Sequence, residues 1–562
     1  MKARFLFISF ILLGLCFSAE AQKKKSRAKK PAQKKTVVKK NTPLTRAASG
    51  DSIRNNTIEI IQSYKPEVKK VPKPEMASSL PPVDTTTPVF NYDVPQQTLS
   101  YTYSSFPLRP LALGIDSLNV PFANYVKLGG GNLSTIYLDA GIGSLKGEDF
   151  ETNFQLNHIS QSGDIKHQKS SLSGFSANGV QHRNGNAWHA SVDVTHNQYY
   201  YYGYDHETLS FSDDSVKQAY TGLRFGIDMQ NEYEGFMGLD YHPYLNLSLY
   251  NDRFDGAENT FAIGLPVSYK LDTSIQIFAG ISGTFTNYKK PFLTQNNNVI
   301  QVTPGISYHN ATFSIKAGAY PTFGQETYIL PDISARYQVS GSQFTVLAGW
   351  QAQLRQNTFE QLSTRNPYMN DRYIVKQTKT DEVFAGIQGN VGTHISFTGR
   401  AAWMRYNNMP LFINDTTDAK QFLIVYDKVS AISIQGSVKY QIATAFALGF
   451  SAAWYNYSPD SQAHAWHEPE LVLKTDLAIK PTPALNITAY LSILDGMYTY
   501  QSAGVSKQLS AVMDLGGSAE YNFTPRFSGF LQVTNLLNTK YERWQGYTAY
   551  GMNIYGGLRL KF

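Results

Sequence analysis

From about residue 123 to residue 562 the chain is a series of segments in which apolar and polar residues alternate, separated by turn-forming residues. Leu471, Leu473, Thr475, Leu477 and Ile479 share one side of such a segment, and Lys474, Asp476 and Lys480 share the other. Leu485, Ile487, Ala489, Leu491 and Ile493 alternate with Asn486, Thr488, Tyr490 and Ser492. Ile432, Ile434, Val438 and Tyr440 alternate with Ser433, Gln435, Ser437 and Lys439. Phe446, Leu448, Phe450, Ala452 and Trp454 alternate with Ala447, Gly449, Ser451 and Ala453. A period of two places each set on its own face of a β-sheet, so the fold class is all-β.

Segment length separates the possible β folds. Many segments reach about ten residues, the length of a tilted strand crossing a bilayer. Strands of soluble sandwiches are nearer five or six residues. Short turns at Leu271-Asp272-Thr273, His309-Asn310, Ser340-Gly341-Ser342, Val391-Gly392-Thr393, Ile442-Ala443-Thr444, Thr482-Pro483-Ala484 and Thr524-Pro525-Arg526 alternate with longer polar loops near 204–214, 290–298, 357–371, 409–420, 457–466 and 544–550. That is the arrangement of a transmembrane antiparallel β-barrel, with short periplasmic turns and long external loops. The segmentation yields about 22 strands, within a range of roughly 18–22, and a bacterial single-chain barrel takes an even number. Tyr555, Leu558, Leu560 and Phe562 mark the candidate closing strand, whose pairing with the first would remove both sheet edges.

Composition fits this reading. Aromatics are 13% of the chain, with 37 Tyr and 32 Phe, while charged residues are only 17%. Lys2 and Arg4, the apolar run 5–15 and Ala19-Glu20-Ala21 form a signal peptide over residues 1–21. The lone Cys16 falls inside it, so the mature chain has no thiolate chemistry and no disulfide. No later stretch has the roughly 18 consecutive apolar residues of a membrane helix. The net charge of +7 is concentrated early, with ten Lys or Arg and no acid between Lys23 and Lys40. Residues 22–46 therefore form a basic disordered segment. Residues 47–118 carry nine prolines, Pro66, Pro72 and Pro110 among them, and read as an extended periplasmic or lumenal arm anchored by Ile58, Ile60, Phe90 and Tyr92. The barrel occupies 119–562.

One family resemblance enters at the C-terminus. Val533 to Tyr541, with Asn535-Leu536-Leu537-Asn538 at its centre, then Gly557-Leu558 and the final Phe562, resemble the end of TonB-dependent receptor barrels. Tyr550 and Met552 stand where that family usually has Pro and Arg. Leu156 to Gly163 is similar to a recurrent piece of plugless receptor-like barrels from Bacteroidota. The resemblance implies an outer-membrane barrel of receptor type. The Pro-rich, basic segment before the barrel lacks the mixed α/β pattern of a receptor plug, so energised uptake is not carried over with it.

Signals for chemistry are poor. His464 and His467-Glu468 lie close in sequence, and a solvated loop is a better reading than a metal pair. Gly129-Gly130-Gly131 has no following Lys-Ser/Thr and reads as a strand kink or tight first hairpin rather than a phosphate loop. The tyrosines 199–202 and Tyr204 invite a sugar-stacking reading, against which an interfacial aromatic girdle, with alternate tyrosines also facing the lumen, is preferred. Lys474, Asp476 and Lys480 are the candidate lumen-lining residues. No nucleophile–base set stands out, so an enzyme is disfavoured, and no metal or other cofactor is expected. Transport or pore formation across the outer membrane is the leading function. A non-transporting scaffold or assembly component recruiting periplasmic partners is the alternative. The expected partners are outer-membrane lipid and a periplasmic protein or lipoprotein that plugs or docks on the barrel, with no nucleic acid. A lumen this wide must be filled by inward-folded loops, by the 47–118 arm or by such a partner.

Overall fold

The alternation is realised as antiparallel strands whose register joins the separately read patterns. In the computed structural model, which describes residues 124–562 apart from 148, 234–237, 292, 340–342 and 371–373, Val438 pairs with Phe450, Phe450 with Thr475 and Thr475 with Leu491. One row further, Tyr440, Leu448, Leu477 and Ala489 stand side by side. Four stretches of sequence thus contribute their apolar residues to one continuous face. Large side chains on that face are exposed, Ile434 at 56% and Trp454 at 42%, which suits a surface bathed in lipid. The expected signal peptide, basic segment and Pro-rich arm lie outside the described residues.

The sheet closes on itself as a barrel of 22 strands. Tyr125–Gly131 pairs with Ile136–Lys146 on one side and with Asn553–Lys561 on the other. Two wall strands are each interrupted once. Pro243 separates Leu239–Tyr241 from Tyr244–Asp252, and Pro304 separates Leu293–Val302 from Gly305–His309. Proline has no N–H for the ladder, so pairing breaks there and resumes one step on. At the seam Leu558 faces Leu128, Leu560 faces Val126 and Tyr555 faces Gly131. Beyond the last pair, Phe562 N donates to Asn124 O at 2.9 Å. The glycines 129–131 end the first strand before the turn at Asn132, and they meet glycines of the last strand, Gly129 opposite Gly557 and Gly130 opposite Gly556.

Two expected loops are strand instead. Residues 290–298 were expected as loop, yet the strand Ile275–Lys290 turns within two residues into Leu293–Val302. The polar run there pairs through its side chains, Asn287 Nδ2 donating to Asn296 Oδ1 at 2.7 Å and Gln377 Nε2 to Asn297 Oδ1 at 2.7 Å. The first half of the expected loop 409–420 is likewise strand, because Ile395–Asn414 continues through a bulge. Asn408 has φ 59° there, and Pro410 sits just past the register shift, where a missing donor is tolerated. Gln295 to Asn298 is polar on both faces, as a strand beyond the bilayer can be, whereas Met409 to Ile413 is apolar and has its pattern interrupted by Pro410.

The face assignment is open to direct test. Leu477→Arg places a charge on the apolar face and should cost roughly 2–4 kcal/mol if the site lies near the bilayer midplane. Lys474→Gln, on the opposite face, should leave refolding into detergent or lipid unchanged. Greater damage from Lys474→Gln would reverse the two faces of Leu471–Thr482.

Candidate functional site

The end of the barrel opposite Asn124 and Phe562 carries the long connections, and several of them fold inward. The connection after Phe344–Gln356 forms a short helix, Phe359–Arg365. Thr358 caps it, its side chain accepting from Gln361 N at 3.2 Å. Glu258, 2% exposed, accepts from Phe359 N at 2.5 Å and from Glu360 N at 3.1 Å. A wall carboxylate therefore satisfies two helix amides that burial would otherwise orphan. The helix buries Phe359 and Leu362 among wall tyrosines. The Phe359 ring lies 6.0 Å from Tyr220, 5.7 Å from Tyr250 and 5.1 Å from Tyr288. Tyr220 Oη donates to Pro367 O at 2.9 Å, and the Tyr250 and Ser363 hydroxyls meet at 2.8 Å.

The cluster then crosses to other strands. Tyr368 stacks on Tyr547 at 3.5 Å, Tyr202 meets Tyr547 edge-on at 4.9 Å, and Trp544 lies against Phe412 and Phe422. Tyr220, Tyr250 and Tyr288 belong to one part of the wall, whereas Phe412 and Phe422 belong to Ile395–Asn414 and Phe422–Ile442, which are not their neighbours in the sheet. Side chains from distant strands share one buried cluster only by meeting across the barrel mouth. The face that bears these tyrosines is therefore the inner face.

Two sequence readings are corrected here. Tyr201 and Tyr202 are 2% and 5% exposed and belong to the loop, with Tyr202 in the cluster, so neither forms an interfacial girdle. His467 does not sit in a solvated loop. It is 1% exposed, its Nδ1–H donates to Phe412 O at 2.9 Å, and the Phe422 and Trp544 rings flank it. Burial, with Arg543 and Arg365 nearby, holds it at about 3, well below the usual histidine range. Glu468 pairs with Arg365, and Arg543 Nη1 donates to His467 O at 2.5 Å. His464 stacks on Tyr498 at 3.9 Å. No group of three metal-ligating side chains occurs among the described residues.

The charged candidates lie on the polar side of the wall. Lys474 stands opposite Ser451 and Ser492, and Asp476 opposite Gly449 and Tyr490. Two adjoining cavities, of about 570 and 450 Å³, share Ser437 and Ser451. Lys439, Asp476 and Tyr490 line the first, and Lys474, Arg400 and Gln435 the second. The small side chains of Ala447, Gly449 and Ser451 leave this part of the wall concave. Arg400 is held by Glu382 at 2.7 Å. Lys480, at the strand end, lines neither cavity. Lys439 and Tyr490 were legible as polar-face residues from their alternation. Arg400 carried no sequence signal, because only the register brings it beside Gln435.

These features define a class: a closed transmembrane β-barrel of outer-membrane architecture, with several loops folded inward at its loop-bearing end. Solved structures share the architecture. The pyoverdine outer membrane receptor FpvA from Pseudomonas aeruginosa PAO1 matches with 10% identity and a TM-score of 0.59, over 78% of each chain. The siderophore receptor PirA from Acinetobacter baumannii matches with 8% identity and a TM-score of 0.60, over 78% of this chain and 80% of that one. The FrpB iron transporter from Neisseria meningitidis matches with 10% identity and a TM-score of 0.59, over 78% and 81%. At these identities the likeness is one of fold. No protein-family model matches the chain, and no curated protein is similar to it in sequence.

Proposed function

We propose that the protein moves a solute across the outer membrane through its lumen, with the aromatic loop cluster as the closed outer gate and Lys474, Asp476 and Lys480 among the residues along the path. The single observation that carries this reading is the buried cluster joining distant wall strands across the mouth. A wall of this diameter needs an occluding element, and the loop helix Phe359–Arg365 supplies one. The groove below offers Lys439 and Lys474 with Asp476, a charged and hydroxylated surface suited to a polar cargo. The architectural likeness to outer-membrane receptors and an iron transporter supports the same reading.

Planar-bilayer recording tests it. The full chain should be nearly silent, and deletion of residues 359–369 should give large, steady conductance. In that deletion background, Lys474→Glu should shift selectivity towards cations. Equal conductance with and without the loop, in protein that keeps its heat-modifiable gel mobility, would remove the gate from this account.

A further inference from the structure

The apolar exterior of the wall is not a smooth band. Towards the end where Asn124 and Phe562 lie, a groove of about 630 Å³ crosses the strands from Asn186–Tyr200 to Leu293–Val302. The register explains its floor. Gly283 stands between Ile263 and Ile300 of the neighbouring strands, with Ile281 and Phe285 on either side along its own. The three isoleucines project into the lipid, each at least 40% exposed, and the glycine between them leaves a notch. The Phe285 ring leans over this notch, 2.8 Å from where a Cβ of residue 283 would lie. The groove continues past Pro243, where the ladder is broken, to the adjoining pair Met229 and Trp188.

Hydrocarbon fills a groove on this face, and the mouth of the groove selects which hydrocarbon. Arg183 pairs with Asn186, and Asn186 shares its face with Trp188 two residues on. Arg183 therefore emerges on the exterior, a diagonal neighbour of Trp188 at a backbone distance of about 7–8 Å. Around it the wall is built as a membrane interface. Tyr241 Oη donates to Asn186 Oδ1 at 2.8 Å, and the ring of Tyr233, 75% exposed, lies against Gly185 in the adjoining turn. Tyrosine and tryptophan rings settle at headgroup depth. Glu232, which reaches the same turn through its N–H on Gly185 O at 2.8 Å, is taken by His182. The Arg183 guanidinium is exposed and open to a ligand. Its planar fork fits two phosphate oxygens at once. The bilayer supplies a molecule with a phosphate at that depth and an acyl chain at the depth of the notch. We propose that this groove holds one phospholipid, its chain against Gly283 and its phosphate on Arg183, as a discrete site within the otherwise interchangeable lipid around the wall.

Native mass spectrometry of the full chain, stripped of lipid in detergent and titrated with phosphatidylglycerol, tests this. Diacylglycerol with the same chains and oleate are the controls. The first phospholipid should bind distinctly more tightly than later copies and than either control. Arg183→Gln should weaken it roughly tenfold, the effect of losing hydrogen bonds to a charged group. Gly283→Leu fills the notch and should weaken it several-fold. It displaces only the far edge of the Phe285 ring, so the wall should still assemble. Arg405→Gln, which removes an exposed arginine beside Trp403 at the opposite end of the exterior, should change nothing. A second measurement needs no altered groove: phospholipid with brominated chains should quench the share of fluorescence that Trp188→Phe removes. The site is overturned if lipids add with no preferred first copy, or if diacylglycerol or oleate binds as tightly as the phospholipid. It is equally overturned if Arg183→Gln and Gly283→Leu both bind as the parent does, if Arg405→Gln weakens binding as much as Arg183→Gln, or if the Trp188 share is not quenched.

Discussion

Gly557→Val should abolish closure of the barrel. A Cβ at this position would lie 1.9 Å from Leu128 O and 2.6 Å from Gly129 Cα. Both are backbone atoms of the first strand, so no side-chain rotation relieves the clash. Opposite glycines at 129 and 557 let the first and last strands approach, and that seam alone joins the two ends of the sheet. With the seam blocked, both edge strands present unpaired N–H and C=O groups, which in a bilayer have no water to satisfy them. The variant should lose heat-modifiable mobility and fail to accumulate in the outer membrane. Gly449→Val is the matched control. Its Cβ would meet nothing nearer than Asp476 O at 3.9 Å, so it should fold as the parent does. Normal assembly of Gly557→Val would mean that the first and last strands do not pair at this register.

Acid should open the gate through His467. The imidazole is buried and neutral, with a pKa near 3 against about 6.5 when exposed. A depressed pKa means that the folded cluster binds the neutral form. Its contribution is therefore fully present above about pH 6.5 and is lost progressively as pH falls towards 3. Full protonation would cost the closed state on the order of 5 kcal/mol, since each pKa unit is about 1.4 kcal/mol. The groups facing it make relief difficult. Arg365 and Arg543 are cations at every relevant pH, and Glu468, the next residue in the chain, is engaged by Arg365. Conductance of the full chain should rise steeply between pH 6 and 4. His467→Gln keeps a hydrogen-bond donor near Phe412 O without a titrating ring, and it should flatten that rise. A pH response unchanged in His467→Gln would assign the titration to another group.

The wall of this protein was legible from local pattern because a strand's face assignment is a local property. Leu471 to Ile479 and Phe446 to Trp454 alternate with a period of two, and a lipid-facing wall requires that alternation on every strand it builds. The closing strand was legible for the same reason, from Leu558, Leu560 and Phe562. The pattern failed where strands leave the bilayer. At Gln295 to Asn298 both faces are polar, and a strand there looks like a loop.

The gate was not legible in this way. Tyr201, Tyr202, His467 and Trp544 are buried by side chains up to several hundred positions away, and no local period records such a meeting. Alternation and composition alone determined an outer-membrane β-barrel with an apolar exterior and a polar second face bearing Lys474 and Asp476. Only the tertiary structure decided that the loops turn inward, that Glu258 receives the helix Phe359–Arg365, and that aromatic rings from distant strands meet in one buried cluster. The physical reason is that a strand's two faces follow from its own pleat, whereas a loop is ordered only by the surface it meets once the barrel has closed.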